Sequence, residues 1–204
     1  MLVICSTIID HIEGLCKTRP EARLVYYYFD FSDQDVQKLD ILLRCLLWQL
    51  CKHDEYLPQA VWTLYESHDN GRKQPGNEVL ANTLFELLSH NPNRQSYVII
   101  DALGECPIDN REHFFELILD RIEKYHQTGS YNFLFTSRKE ADIEKRMTQS
   151  TVATHNVPIP TECVKEDVRL HVTQFIASHR VMKDFPKHLA TEIEDTISEK
   201  AQGM

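Results

Sequence analysis

The sequence predicts an α/β domain: a mainly parallel sheet between two layers of helices. Two observations predict it. Short β-branched and aromatic runs recur at 23–29 (RLVYYYF), 97–100 (YVII) and 131–136 (YNFLFT), separated by stretches of helical periodicity. The run at 97–100 is apolar at every position, the pattern of a strand buried on both faces of a parallel sheet. Strands are therefore expected near 24–29, 97–101 and 131–136, with a weaker one at 152–159. Helices finish the chain, so the division expected is a domain over 1–160 and the start of a helical region over 161–204.

Each element has a local cause. Ile4, Ile8, Ile12 and Leu15 recur at helical spacing, predicting an amphipathic helix over 3–17, which Pro20 follows. After the first strand, Ser32 and Asp35 form a capping-box pattern that opens a helix running to about Cys51, with leucines along one stripe. Pro58 starts a third helix, whose buried side is expected to be Val61, Trp62, Leu64 and Tyr65. Trp48 and Trp62 both read as core residues. The segment DNGRKQPG at 69–76 is a loop, and 77–89 is a helix with Leu80, Leu84, Leu87 and Leu88 inward. Asp109 with Glu112 caps a helix reaching about Gln127. A short helix covers 139–147, the strand at 152–159 is limited by Pro158 and Pro160, and helices lie near 165–180 and 187–201.

Bulk composition narrows the function. The 204 residues carry 22 Lys and Arg against 31 Asp and Glu, a net charge of -9, which argues against general nucleic-acid binding. None of the six cysteines forms a C-x-x-C pair, so they read as reduced thiols of an intracellular, cytoplasmic protein. No stretch approaches the ~20 apolar residues of a membrane span. Ten histidines without H-E-x-x-H, and the lack of a G-x-S-x-G elbow, argue against a metalloprotease and an α/β-hydrolase. Cys106 reads as a buried turn cysteine.

Two strand ends carry chemistry. The central strand stops at Asp101, with Glu105 four residues on, and the strand at 131–136 runs into Ser137 and Arg138. Open α/β sheets bind ligands at the carboxyl ends of their strands. If the two strands are neighbours, Asp101 could hold a metal and Arg138 reach a phosphate, the division of labour that phosphoryl transfer needs. A turn cap and a surface arginine are the plain alternatives.

The blocks YYYFDFSDQDVQKLDILLRCLLWQ, VIIDALGECP and FLFTSR resemble, in order and spacing, the NACHT domain of fungal signalling ATPases, in the nephrocystin-like N-terminal variety found ahead of repeats. The resemblance implies a P-loop-NTPase-like sheet and a nucleotide-dependent switch using ATP or GTP with Mg²⁺. Asp101 would be the Mg²⁺-side acid of the Walker B segment and Glu105 part of the acidic pair beyond it. Ser137 and Arg138 would form the sensor segment, with Arg138 nearest the terminal phosphate. Implied partners are other domains of a longer polypeptide or homologous NACHT domains.

Two departures qualify this. No glycine is followed by lysine, so these residues contain no G-x-x-x-x-G-K-[ST] loop. In the family that loop precedes the helix that here begins near Val3, so the first strand is expected to be missing. The three strands 131–136, 97–101 and 24–29 should then lie side by side, and the strand near 152–159 should lack its neighbour. The family's DALDEC is also DALGEC here, so Gly104 removes one acid. The expectation is a switch fragment that binds and hydrolyses nucleotide inefficiently alone. The alternatives are a non-catalytic interaction module or a gene-model fragment.

Overall fold

The computed structural model describes residues 2–30, 32, 37–54, 56–91, 93–127, 129–152, 154–159 and 161–200. They form two compact units, Met1–Thr154 and His155–Met204. The first unit runs α1 (Leu2–Thr18), β1 (Ala22–Tyr28), α2 (Leu39–Lys52), α3 (Gln59–Ser67), α4 (Asn77–Ser89) and β2 (Gln95–Asp101). A single 3-10 turn (Leu103–Glu105) leads to α5 (Ile108–Phe114), which widens into a π-turn (Phe115–Leu119) and continues as α6 (Asp120–Tyr125). β3 (Tyr131–Phe135) and α7 (Ala141–Thr148) complete it.

The sheet is wholly parallel in the order β1-β2-β3, as the reading of three adjacent strands required. The register places Tyr28 opposite Asp101 and Ile100 opposite Phe135, so the strands end at one level. Alternation along the strands sorts side chains onto two faces. Val25, Tyr27, Val98 and Ile100 join the large core with α2, α4 and α5. Leu24 and Ile99 pack with Cys5 and Ile9 of α1 on the other face. Six leucines of α2, Leu39 to Leu50, are buried in the large core. At about 2 kcal/mol each, they hold this helix on the sheet.

Several local expectations are corrected. The helix expected from Ser32 begins at Leu39, behind Lys38, whose backbone is extended and which makes no side-chain cap. Ser32 instead turns back on Asp30, giving its backbone N–H (2.8 Å) and its hydroxyl (2.6 Å) to Oδ1. Asp35 lies outside the described residues. The Asp109–Glu112 cap is also absent: Pro107 occupies the N-cap position, with no side-chain hydrogen bond. α3 buries no residue completely, because it packs chiefly along α4 rather than on the sheet. Trp62 and Tyr65 are each 45% exposed and lie against one another instead. Trp48 is not core either. It is 58% exposed, off the leucine stripe, with Lys52 Nζ 3.5 Å from its ring centroid. The turn at 69–71 behaves as its DNG sequence demands, with positive φ at Asp69, Asn70 and Gly71.

The strand expected at 152–159 is not formed. Residues 154–159 are exposed and have no regular structure, and Val152 lies in a bend. Pro158 has no N–H to place in a ladder. The second unit contains α8 (Thr161–Ser178), a short turn at Met182–Asp184 and α9 (Lys187–Lys200). α8 and α9 pack on each other, with Arg169 and Asp195 paired at 3.0 Å. Among the described residues, no helix is long and apolar enough to cross a membrane.

Candidate functional site at the carboxyl ends of the central strands

Asp101 closes β2 and is only 1% exposed. A buried carboxylate needs hydrogen-bond donors. Thr136, the first residue beyond β3, donates its hydroxyl to Asp101 Oδ1. The same hydroxyl oxygen accepts the Ala102 N–H at 2.9 Å, and the Thr136 carbonyl accepts the Leu103 N–H at 2.8 Å. Thr136 therefore ties the exit of β2 to the exit of β3. Ala102 turns the chain away in the left-handed region, φ 58 and ψ 41. The chain then enters the 3-10 turn that carries Glu105.

Glu105 and Arg138 meet above this seam, Arg138 Nη2 lying 3.9 Å from Glu105 Oε1. The arginine side chain is 50% exposed and the glutamate 23%. Ser137 gives its hydroxyl to the Arg138 carbonyl at 2.7 Å, so in this arrangement it shapes the loop. Asp101, Glu105 and Arg138 are thus brought to one edge of the sheet. A Cβ on Gly104 would stand 3.6 Å from the Arg138 backbone nitrogen and 3.7 Å from Glu140, ordinary contact distances. Space would therefore admit an acid at Gly104, although Glu140 would repel it.

The loop has an anchor that sequence reasoning missed. Arg111 of α5 is 6% exposed. Its guanidinium donates to the carbonyls of Gly104 (2.5 Å) and Cys106 (3.0 Å) and holds both carboxylate oxygens of Asp142 at 3.1 and 3.0 Å. Glu140 adds a contact at 3.7 Å. One side chain therefore joins the Glu105 turn to the start of α7. Partial burial would raise the Asp142 pKa, but hydrogen bonds and charge from Arg111 outweigh it and hold the carboxyl below its usual range. No signal in the surrounding sequence marks this role.

The cysteines near the site are inert. Burial, reinforced by the adjacent Asp101 carboxylate, pushes the Cys5 thiol up to about 12. Burial also pushes Cys106 up to about 11, against the opposing pull of Arg111. Cys106 is 1% exposed, in keeping with a buried turn cysteine. This has a consequence at alkaline pH. The unfolded chain releases the Cys106 proton near 9.0 while the folded chain keeps it to about 11. Stability is therefore unaffected below about pH 9 and falls as pH rises through that window, by at most about 1.4 kcal/mol per pH unit for this thiol. Urea denaturation at pH 8 and pH 10 is expected to show that decline, and Cys106→Ala to make it shallower.

The family described as Nephrocystin 3, N-terminal, matches residues 2–138, a span that takes in α1, the whole sheet and Arg138. The vegetative incompatibility protein HET-E-1 of Podospora anserina is 25% identical over 202 residues, covering 94% of this chain. The chain spans 14% of the length of that relative. The chain belongs to the nephrocystin 3 N-terminal domain family.

Proposed function

We propose that these residues form the metal-side half of a NACHT-type nucleotide pocket, part of a nucleotide-dependent switch in a signalling protein. The observation that supports it most is the placing of Asp101 at the end of β2 and of the Glu105–Arg138 pair on the loops leaving β2 and β3, two exits stitched by Thr136. Asp101 is the Mg²⁺-side acid, Glu105 the acid beyond it, and Arg138, with Ser137 beside it, faces the terminal phosphate of ATP or GTP. One carboxylate beside a hydroxyl suits a Mg²⁺ ion that arrives with its own phosphates and waters. It does not suit a bare ion: among the described residues no group of three or more His, Cys, Asp or Glu could hold a metal. When bound, Mg²⁺ would neutralise charge on the phosphoryl oxygens. Arg138 would exchange its pairing with Glu105 for one with phosphate.

The 204 residues contain no Gly-Lys pair to build a phosphate cradle, and the sheet of three strands has no phosphate-loop strand beside β3 among the described residues. A lone carboxylate and arginine do not replace a ring of backbone N–H donors. This chain alone therefore binds nucleotide weakly. Its partners are other domains of a longer polypeptide or homologous NACHT domains, rather than nucleic acid or membrane. Titration with a fluorescent ATP analogue and Mg²⁺ tests the reading. The expected result is no tight saturable binding and no change on Asp101→Ala. Tight binding that Asp101→Ala abolishes would overturn the weak-binding claim. A non-catalytic interaction module is the second reading, favoured by the open edge of β3.

A further inference from the structure

β1 is the other edge of the sheet, with β2 on one side and no strand on the other among the described residues. Such an edge offers unpaired N–H and C=O groups to any incoming strand. Here it is occupied by side chains. Gln49 of α2 accepts the Tyr26 N–H on Oε1 at 3.0 Å and donates Nε2 to the Tyr26 carbonyl at 2.7 Å. A residue that exchanges both of its backbone hydrogen bonds with one partner is what an antiparallel neighbour strand provides. The Gln49 amide thus takes the place of a peptide group. One turn later, His53 Nε2 lies 3.0 Å from the Leu24 carbonyl. Ala22 gives its N–H to the Arg19 carbonyl at 2.9 Å. Along the outward side, Tyr26 thus has both backbone groups engaged, Ala22 its N–H and Leu24 its carbonyl.

The strand beneath this cover is well suited to pairing with itself. Residues 24–28 (LVYYY) are uncharged, one leucine and one valine followed by three tyrosines, and free of Gly and Pro. Beside the edge lies an open groove of about 510 Å³, lined by Tyr26, Tyr28, Trp48 and Lys52 among others, which leaves room for an approaching chain. Trp48, 58% exposed, offers apolar surface there. We infer that Gln49 guards the β1 edge: its amide keeps β1 from pairing, antiparallel and about a two-fold axis, with β1 of a second copy of this chain.

Sedimentation velocity of the 204-residue chain over a concentration series tests this with Gln49→Leu, which keeps similar bulk and loses both hydrogen bonds to Tyr26, along with one to Cys45 Sγ. The variant is expected to shift, relative to wild type, toward a species of twice the mass as concentration rises. Adding Tyr26→Pro removes the outward N–H without touching the β2 ladder and is expected to restore wild-type sedimentation. Wild-type behaviour of Gln49→Leu at every concentration would overturn the inference. So would undiminished association of the double variant, which would place the contact elsewhere, such as on β3. Hydrogen exchange on the wild-type chain gives a reading that does not depend on a variant folding. The Tyr26 amide is expected to exchange at least about tenfold slower than an unprotected amide. Free exchange there would also overturn the inference.

Discussion

Arg111→Ala is expected to lower the unfolding free energy of the first unit by about 3 kcal/mol. Removing one partner of a buried charged network leaves the others without donors. The Gly104 and Cys106 carbonyls lose their guanidinium, and Asp142 loses its bidentate partner. Asp142 is 37% exposed, so solvent screens its share, and most of the loss comes from the two carbonyls. In a unit of this size the midpoint of thermal unfolding should fall by about 9 °C. Arg111→Lys is expected to recover little, because an ammonium cannot serve two carbonyls and a carboxylate from one planar fork. Urea denaturation followed by circular dichroism measures both. A loss below about 1 kcal/mol for Arg111→Ala would mean that the turn is held by something other than this side chain.

Phe85→Ala is expected to cost more, about 4 kcal/mol, the upper range for truncating a buried aromatic ring. Phe85 of α4 is 0% exposed. Its ring stacks on Phe133 of β3 at 5.9 Å and on Tyr125 at 5.9 Å, and meets the edge of Tyr131 at 6.0 Å. Truncation would open a cavity bounded by α4, α6 and β3 at once, leaving little freedom to collapse. The same urea titration should move to a lower midpoint with an unchanged slope. A cost under 2 kcal/mol would show that these elements close over the gap.

The two mutations differ in how far sequence could foresee them. Phe85 lies on a helix whose bounds and inward leucines the periodicity located, because a long apolar stripe has one stable place to go. The same holds for β2, where an all-apolar run admits little besides a central strand. Arg111 stands among Asn110, Glu112 and His113, and nothing local distinguishes a buried arginine there from a solvated one. Its role depends on carbonyls five and seven residues away and on Asp142 across the fold. Trp48 and Trp62 failed for a related reason: helical phase says which residues share a face, but not whether another element covers it. The 152–159 segment has strand-like residues, but Pro158 has no N–H to give to a ladder. In the site, the placing of Asp101, Glu105 and Arg138 at the same end of the sheet followed from strand adjacency. The hydroxyl of Thr136 that joins the exits of β2 and β3 did not.

Ala102 gives the site a stored tension. An L-residue with a side chain pays roughly 1 kcal/mol to sit in the left-handed well, and here it does so immediately after Asp101. The Thr136 hydroxyl and carbonyl pin the amides on both sides of that residue. The direction in which the Glu105 turn leaves the sheet is therefore set by a residue 34 positions further along the chain.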